Sequence, residues 1–168
     1  MAIQLHAQPY DLSATGFYFN SYQDYTAKAA KLRNDYGDPV EEFEIQFIDG
    51  EHIDCDLAKA IGINQANLKQ FLEAVQDWDE DDKTLVILAV GECGYAFGAD
   101  TQPIEFGVDI YHLDTMRELA EQFVEEGLFG DIPEPLQFYF DYDAIAHDLA
   151  VDYATAEVAG QHLIYRCH

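Results

Sequence analysis

The residues of this chain that could do chemistry are carboxylates, and their spacing decides which chemistry. Glu118, Glu121 and Glu125 follow one another at intervals of three and four. On a helix that spacing sets side chains roughly 5–6 Å apart along one face. A carboxylate row at that pitch is comparable in scale to the phosphates of one nucleic-acid strand. The run Asp77-Trp78-Asp79-Glu80-Asp81-Asp82 is a second acidic cluster. Read as a calcium loop starting at Asp77, it supplies Asp79 and Asp81 but lacks the glycine and the glutamate that close such a loop. Asp82 and Leu88 stand there instead. The run fits an acidic turn or helix start, where carboxylates complement the macrodipole.

Nucleophilic and metal chemistry find less support. The six histidines (His6, His52, His112, His147, His162, His168) lack the HExxH or zinc-ligand spacings, and Cys167-His168 reads as a frayed tail. Gly91-Glu92-Cys93-Gly94 resembles a catalytic cysteine setting only superficially, and there is no GxSxG, P-loop or GxGxxG. The expectation is a protein without enzymatic activity, cofactor or bound metal. Cys55, Cys93 and Cys167 are odd in number and without CxxC spacing, which favours reduced thiols in a cytoplasm. Neither a signal peptide nor an apolar run of transmembrane length is present.

Charge narrows the choice of partner. The 168 residues carry 33 acids against 8 bases, a net charge of −25. Twenty-five charges of duplex DNA occupy roughly 42 Å of helix axis, and a globule of this length is about 40 Å across. This charge disfavours duplex DNA as a partner and favours basic surfaces or cations. With 49% hydrophobic and 14% aromatic residues, the chain is no disordered acidic tail. From Thr84 onward only Arg117 and Arg166 face sixteen acids.

The elements that must position these groups follow from periodicity. Residues 3–7 and 15–20 read as strands, 22–36 as a helix carrying Lys28, Lys31 and Arg33 on the side away from the acidic surface, and 41–49 as the clearest strand. Residues 54–61 form a short helix. Asn64 caps a longer one with Leu68, Phe71, Leu72 and Val75 inward, and Thr84–Val90 reads as a buried helix. Residues 91–103 form a glycine-rich linker, and 104–111 alternate as a strand. Met116, Leu119, Ala120, Phe123 and Val124 make one apolar helical face, begun by a Thr115–Glu118 capping box and stopped by Gly127. Pro133 and Pro135 reset the chain. A helical pattern then resumes with Leu136, Phe140, Ile145 and Leu149 inward and Asp141, Asp148 and Asp152 outward. Residues 153–158 and 163–167 form a hairpin around Ala159-Gly160. The fold class is α+β, as three small domains: residues 1–58 (α+β), 59–103 (mainly helical) and 104–168 (α+β, with a three-stranded sheet and helices).

The segment EEGLFGDIPEPLQFYFDYDAIAHDLAVDY resembles the antirestriction motif of the ArdA-type antirestriction family. A looser likeness covers ATGFYFNSYQDYTAKAAKL and EEFEIQFIDGE. The resemblance implies a DNA mimic that blocks the DNA-binding groove of type I restriction–modification enzymes. It also implies an elongated three-domain homodimer joined through its C-terminal part, carried by mobile elements and binding neither nucleic acid nor membrane. Candidate mimic carboxylates are Asp79, Asp81, Asp82, Asp109, Asp114, Glu118, Glu121, Glu125, Glu126, Asp148 and Asp152. The motif and dimer residues are Leu128, Phe129, Gly130, Ile132, Pro133, Leu136, Phe138, Tyr139, Phe140, Asp141 and Tyr142. The aromatics among them could stack on bases. Asp141 and Asp143 would repel nucleic acid, so core packing or a subunit interface fits better. Two alternatives remain: an acid-surfaced, halophilic-type binding module, and a calcium-dependent interaction protein.

Overall fold

Alternation in Phe43-Glu44-Ile45-Gln46-Phe47 builds a strand with one buried face, and the first of two units grows from it. The computed structural model describes residues 2–168, and these divide into two compact units at Phe106/Gly107. The first holds β1 (Gln4–Pro9), β2 (Phe17–Phe19), α1 (Tyr22–Lys31), β3 (Phe43–Asp49), α2 (His52–Ile61), α3 (Leu68–Asp77) and α4 (Glu80–Gly91). A 3-10 turn at Pro103–Glu105 closes it. Its antiparallel sheet has the order β2-β1-β3, with Leu5 between Phe19 and Phe47 and Ala7 between Phe17 and Ile45. Leu5 and Ala7 are fully buried. Tyr25 brings α1 onto this face, 5.1 Å from Phe19 between ring centroids, beside the Phe17–Phe43 edge contact at 5.6 Å.

In α4, Val86, Ile87, Leu88 and Ala89 are buried in succession. A helix apolar all round must be enclosed, and α2 packs against it. The helical reading of Thr84–Val90 therefore holds. Where α2 meets α4, Lys83 Nζ lies 2.8 Å from Asp54 Oδ1, both side chains almost wholly buried. Asp54 Oδ1 has no hydrogen-bond donor of good geometry, so the ammonium charge is its compensation. α2 itself runs across residue 58.

Two boundaries differ from expectation for one reason. α1 stops at Lys31 rather than near residue 36, because Asn34 Oδ1 accepts from the backbone N–H of Tyr36 (2.9 Å) and Asp38 (3.0 Å). α3 begins after Asn67 rather than Asn64, because Asn64 Oδ1 accepts from the backbone N–H of Ala66 and Asn67. Short amides offer the backbone a turn in competition with the helix. In α3, Leu68 and Phe71 are buried, whereas Leu72 and Val75 are only half-buried.

The second unit holds β4 (Val108–Tyr111), α5 (Met116–Glu125), a 3-10 helix (Glu134–Tyr139), α6 (Tyr142–Leu149), β5 (Ala154–Val158) and β6 (Gln161–Cys167). Its antiparallel sheet has the order β4-β6-β5. The β5–β6 hairpin turns at Ala159 and Gly160, both with positive φ (50° and 80°), as a two-residue hairpin turn requires. Leu119, Phe123 and Ile164 form the core, flanked by Tyr111, Met116, Leu149 and Tyr153. Tyr111, Phe123 and Tyr153 meet edge to face at 5.6–6.0 Å.

The resumed helix expected from Leu136 is a correction. Residues 134–139 form a 3-10 helix, and α6 starts afresh at Tyr142 behind the N-cap Asp141. Prolines 133 and 135 remove backbone donors and fix φ, which suits a short 3-10 segment better than an α-helix. Leu136 is consequently exposed, Phe140, Ile145 and Leu149 are half-buried, and Ala146 is the buried residue of α6. Cys55 is a free thiol, as expected.

Three predictions follow from the first unit's electrostatics. Lys83→Met leaves the Asp54 charge buried and unpaired, and should destabilise by about 3–5 kcal/mol in urea unfolding. Adding Asp54→Leu should recover most of that loss, because replacing both partners with apolar groups is near neutral. Burial, with Asp79 and Asp81 alongside, raises the Asp82 pKa, whereas hydrogen bonds from Asn34 and Ser13 lower that of Asp11. The raised group opposes folding near neutral pH and is relieved as pH falls through its folded pKa. Asp82→Asn should therefore raise the melting temperature near pH 7, with the difference fading toward pH 4. The lowered group supports folding above the ordinary carboxylate range, so Asp11→Ala should lower the melting temperature near pH 7. That difference should disappear as pH falls through the folded pKa of Asp11.

Candidate functional site

The acidic row rests on a helix whose ends are held from within. Thr115 Oγ1 accepts from the backbone N–H of Glu118 (3.2 Å), and Glu118 Oε2 accepts from that of Asp114 (3.0 Å). This is the expected capping box, shifted by one residue on its return arm. At the other end Gly127 takes φ +82°, its N–H bonds to Val124 O and the Leu128 N–H to Phe123 O. These paired bonds are a Schellman stop, which needs a residue free to adopt positive φ. Between the ends Leu119, Ala120, Phe123 and Val124 are buried, leaving Glu118, Glu121 and Glu125 exposed on the opposite face.

Arg117 ties this helix to α6. Its Nε lies 3.2 Å from Glu121 Oε1, its Nη1 2.8 Å from Asp143 Oδ1, and its Cζ 5.7 Å from the Tyr142 ring centroid. Asp143 and then Glu121 raise the guanidinium pKa further above its ordinary value. One charge thus answers two carboxylates. Glu126 accepts from Gln122 Nε2 at 3.0 Å, and Glu125 pairs with no base among the described residues. Glu121, Glu125 and Asp131 line an open depression of about 600 Å³ whose apolar wall is Val124, Ile132 and Tyr142.

The other expected carboxylates take varied roles. Asp114, Asp148 and Asp152 are exposed. Asp109, on β4, is half-buried, with Oδ2 2.6 Å from His168 Nε2. His168 also donates its backbone N–H to Gly107 O, so the frayed tail expected at Cys167-His168 is instead tied to the sheet. In the first unit Asp79, Asp81 and Asp82 gather at the start of α4, where Asp79 is the N-cap and accepts from the Asp82 N–H at 2.8 Å. The structure therefore brings Glu118, Glu121, Glu125 and Glu126 together on α5, and Asp79, Asp81 and Asp82 together on α4. Asp131 and Asp143 also belong to the α5 site but are not among the candidate mimic carboxylates. The depression and the Arg117 pair form across the chain, and only the surplus of acids hinted at them.

The motif residues mostly point outward. Phe138 is 89% and Tyr139 84% exposed, and Leu128, Phe129 and Leu136 are more than half exposed. Gly130 and Pro133 are exposed as well, whereas Ile132, Phe140 and Tyr142 are half-buried, with Phe140 and Tyr142 stacked at a tilt 6.3 Å apart. Asp141 caps α6, accepting from the Ala144 N–H at 3.0 Å. Packing in the core of this unit is thus corrected for Phe138 and Tyr139. Among the described residues no helix is long and apolar enough to cross a membrane.

A search of curated proteins returned no match. The model of the ArdA antirestriction protein family matches residues 44–162. That range takes in β3, the central helices and the whole motif segment, and so extends the likeness through residues 64–103. It begins after the first stretch of looser likeness, ATGFYFNSYQDYTAKAAKL, and within the second, EEFEIQFIDGE. With well over half of its length matched, the chain belongs to the ArdA family of antirestriction proteins.

Proposed function

We propose that this protein blocks a type I restriction–modification enzyme by occupying its DNA-binding groove with an acidic surface. The observation that carries the reading is the uncompensated charge of the second unit. From Gly107 to His168 thirteen acids face only Arg117 and Arg166. Arg117 is committed to Glu121 and Asp143, and Arg166 lies over the Tyr153 ring at 5.5 Å. Carboxylates left over in this way repel one another in the free protein. A groove lined with lysine and arginine relieves that repulsion, and bound ions are released from both surfaces. The protein acts by occupation, from the cytoplasm, and needs no catalytic step, cofactor, metal or direct contact with nucleic acid.

The same reading assigns the motif's outward apolar residues to a homodimer. Leu128, Phe129, Leu136, Phe138 and Tyr139 are large apolar side chains left more than half exposed within twelve residues of chain, and grouped exposed apolar surface marks interaction sites. A two-fold interface would cover the same strip on both copies. The three-part organisation, with junctions near residues 58 and 103, also belongs to this proposal.

Salt separates mimicry from a halophilic-type surface. Added salt screens like charges in the fold, so the melting temperature should rise between about 50 and 500 mM, while binding to a type I methyltransferase core should weaken over the same range. A complex that tightens or stays constant would overturn the proposal, as would measurable affinity for duplex DNA itself. Glu125→Gln should weaken the complex and reduce its salt slope by about one unit, if that carboxylate meets a cation. For the interface, Phe138→Asp with Tyr139→Asp should convert a dimer to a monomer by light scattering. The melting temperature should change little once the comparison is made at monomer concentrations. An unchanged mass would remove the motif from the interface.

A further inference from the structure

The first unit contains a pocket of about 320 Å³ between the C-terminal half of α3 and the segment around Phe97–Gln102. Its lining combines the carboxylates Glu73 and Asp77, the rings of Trp78 and Phe97, and the polar side chains of Gln70 and Thr101. No basic residue is among the lining residues. Trp78 and Phe97 meet edge to face, with centroids 6.3 Å apart at 82°. Thr101 Oγ1 accepts from the Gly98 N–H at 2.7 Å, which holds the loop carrying Phe97.

Two separate features of this pocket call for the same ligand chemistry. The last turn of α3 carries no base, although the negative end of a helix favours cations. Glu73 and Asp77 are placed at that end instead, which compounds the deficit. The aromatic walls add π-faces, which attract cations.

We propose that this pocket binds the guanidinium group of an arginine side chain presented by a protein partner. A guanidinium is planar, carries five N–H donors and no acceptor, and stacks on aromatic faces. It matches two carboxylates and two rings at once. An ammonium lacks the flat face, and a neutral planar group leaves the carboxylates unpaired. The assignment goes beyond occupation of a DNA groove and does not depend on it.

Trp78 is the only tryptophan in the chain, so its emission reports on this pocket alone. The full-length protein is titrated at constant ionic strength with N-acetyl-arginine N-methylamide, its lysine counterpart and its neutral citrulline counterpart. The arginine compound should give a saturable change in emission with half-saturation in the low millimolar range, as suits an open cation–π and ion-pair site. The lysine compound should bind more weakly and the citrulline compound should give no saturable change. Glu73→Gln combined with Asp77→Asn should weaken arginine binding about tenfold, since charge-assisted contacts become neutral ones. Both residues are exposed, and circular dichroism confirms that the variant is folded; Phe97→Leu tests the aromatic wall independently and should also weaken binding. No saturable response to the arginine compound, an equal response to lysine or citrulline, or unchanged affinity in both folded variants would overturn the proposal.

Discussion

Repulsion among twenty-five net negative charges is the constraint under which every element of this chain folds. Like charges close together destabilise the compact state, so the fold gains from any position where a carboxylate meets positive potential. The starts of helices are such positions. Asp24 stands in the first turn of α1, Asp54 in that of α2, Glu80 and Asp81 in that of α4, Glu118 in that of α5 and Asp143 in that of α6. Asp79 and Asp141 are themselves N-caps. Three of the bases sit at complementary ends, with Lys28 and Lys31 closing α1 and Lys59 closing α2. Much of the acidity that reads as functional surplus is thereby also a support of local structure. What the helix starts do not absorb is the surplus on the outer face of α5.

That helix shows how one element serves both demands. Its inner face supplies Leu119 and Phe123 to the core against Ile164, and its outer face presents glutamates. The motif that follows contributes far less to the core. Its 3-10 helix contains no buried residue, and its largest side chains lie open to solvent. Stability of the second unit comes from α5 and the three-stranded sheet. The motif is a strip laid outside it and anchored at its two ends, by the Gly127 stop and by the Asp141 cap.

What was legible in the sequence was local. Alternation identified β3, the unbroken apolar run identified α4, and the Thr115–Glu118 and Gly127 signals fixed both ends of α5. These patterns concern neighbours in the chain, so one sequence suffices to read them. The failures share the opposite character. The Arg117–Asp143 contact joins residues 26 apart, and the Asp54–Lys83 pair forms only when α2 packs on α4. Leu136 was misread because a periodicity persisted through two prolines, and the backbone there follows proline chemistry instead. The acidic row was visible from spacing, whereas the depression beside it depends on how residues 127–142 return past α5.

The commitment of bases within each unit bears directly on the proposed role. Lys83 is consumed by Asp54, Arg117 by two carboxylates, and Arg166 by the Tyr153 ring. None of the three is free to swing out and neutralise the acidic face. Several carboxylates are fixed as well. Glu118 is held by the Asp114 N–H, Glu121 by Arg117 and Glu126 by Gln122. Side chains already held in place lose less conformational entropy when a partner arrives. Glu125 is the contrast, a carboxylate that pairs with no base among the described residues and lies beside an open depression. A groove that meets this face thus encounters an array that is mostly ordered beforehand, with its negative excess intact. Those are the two properties an occupant of a DNA site needs if it is to compete with a stiff, uniformly charged duplex.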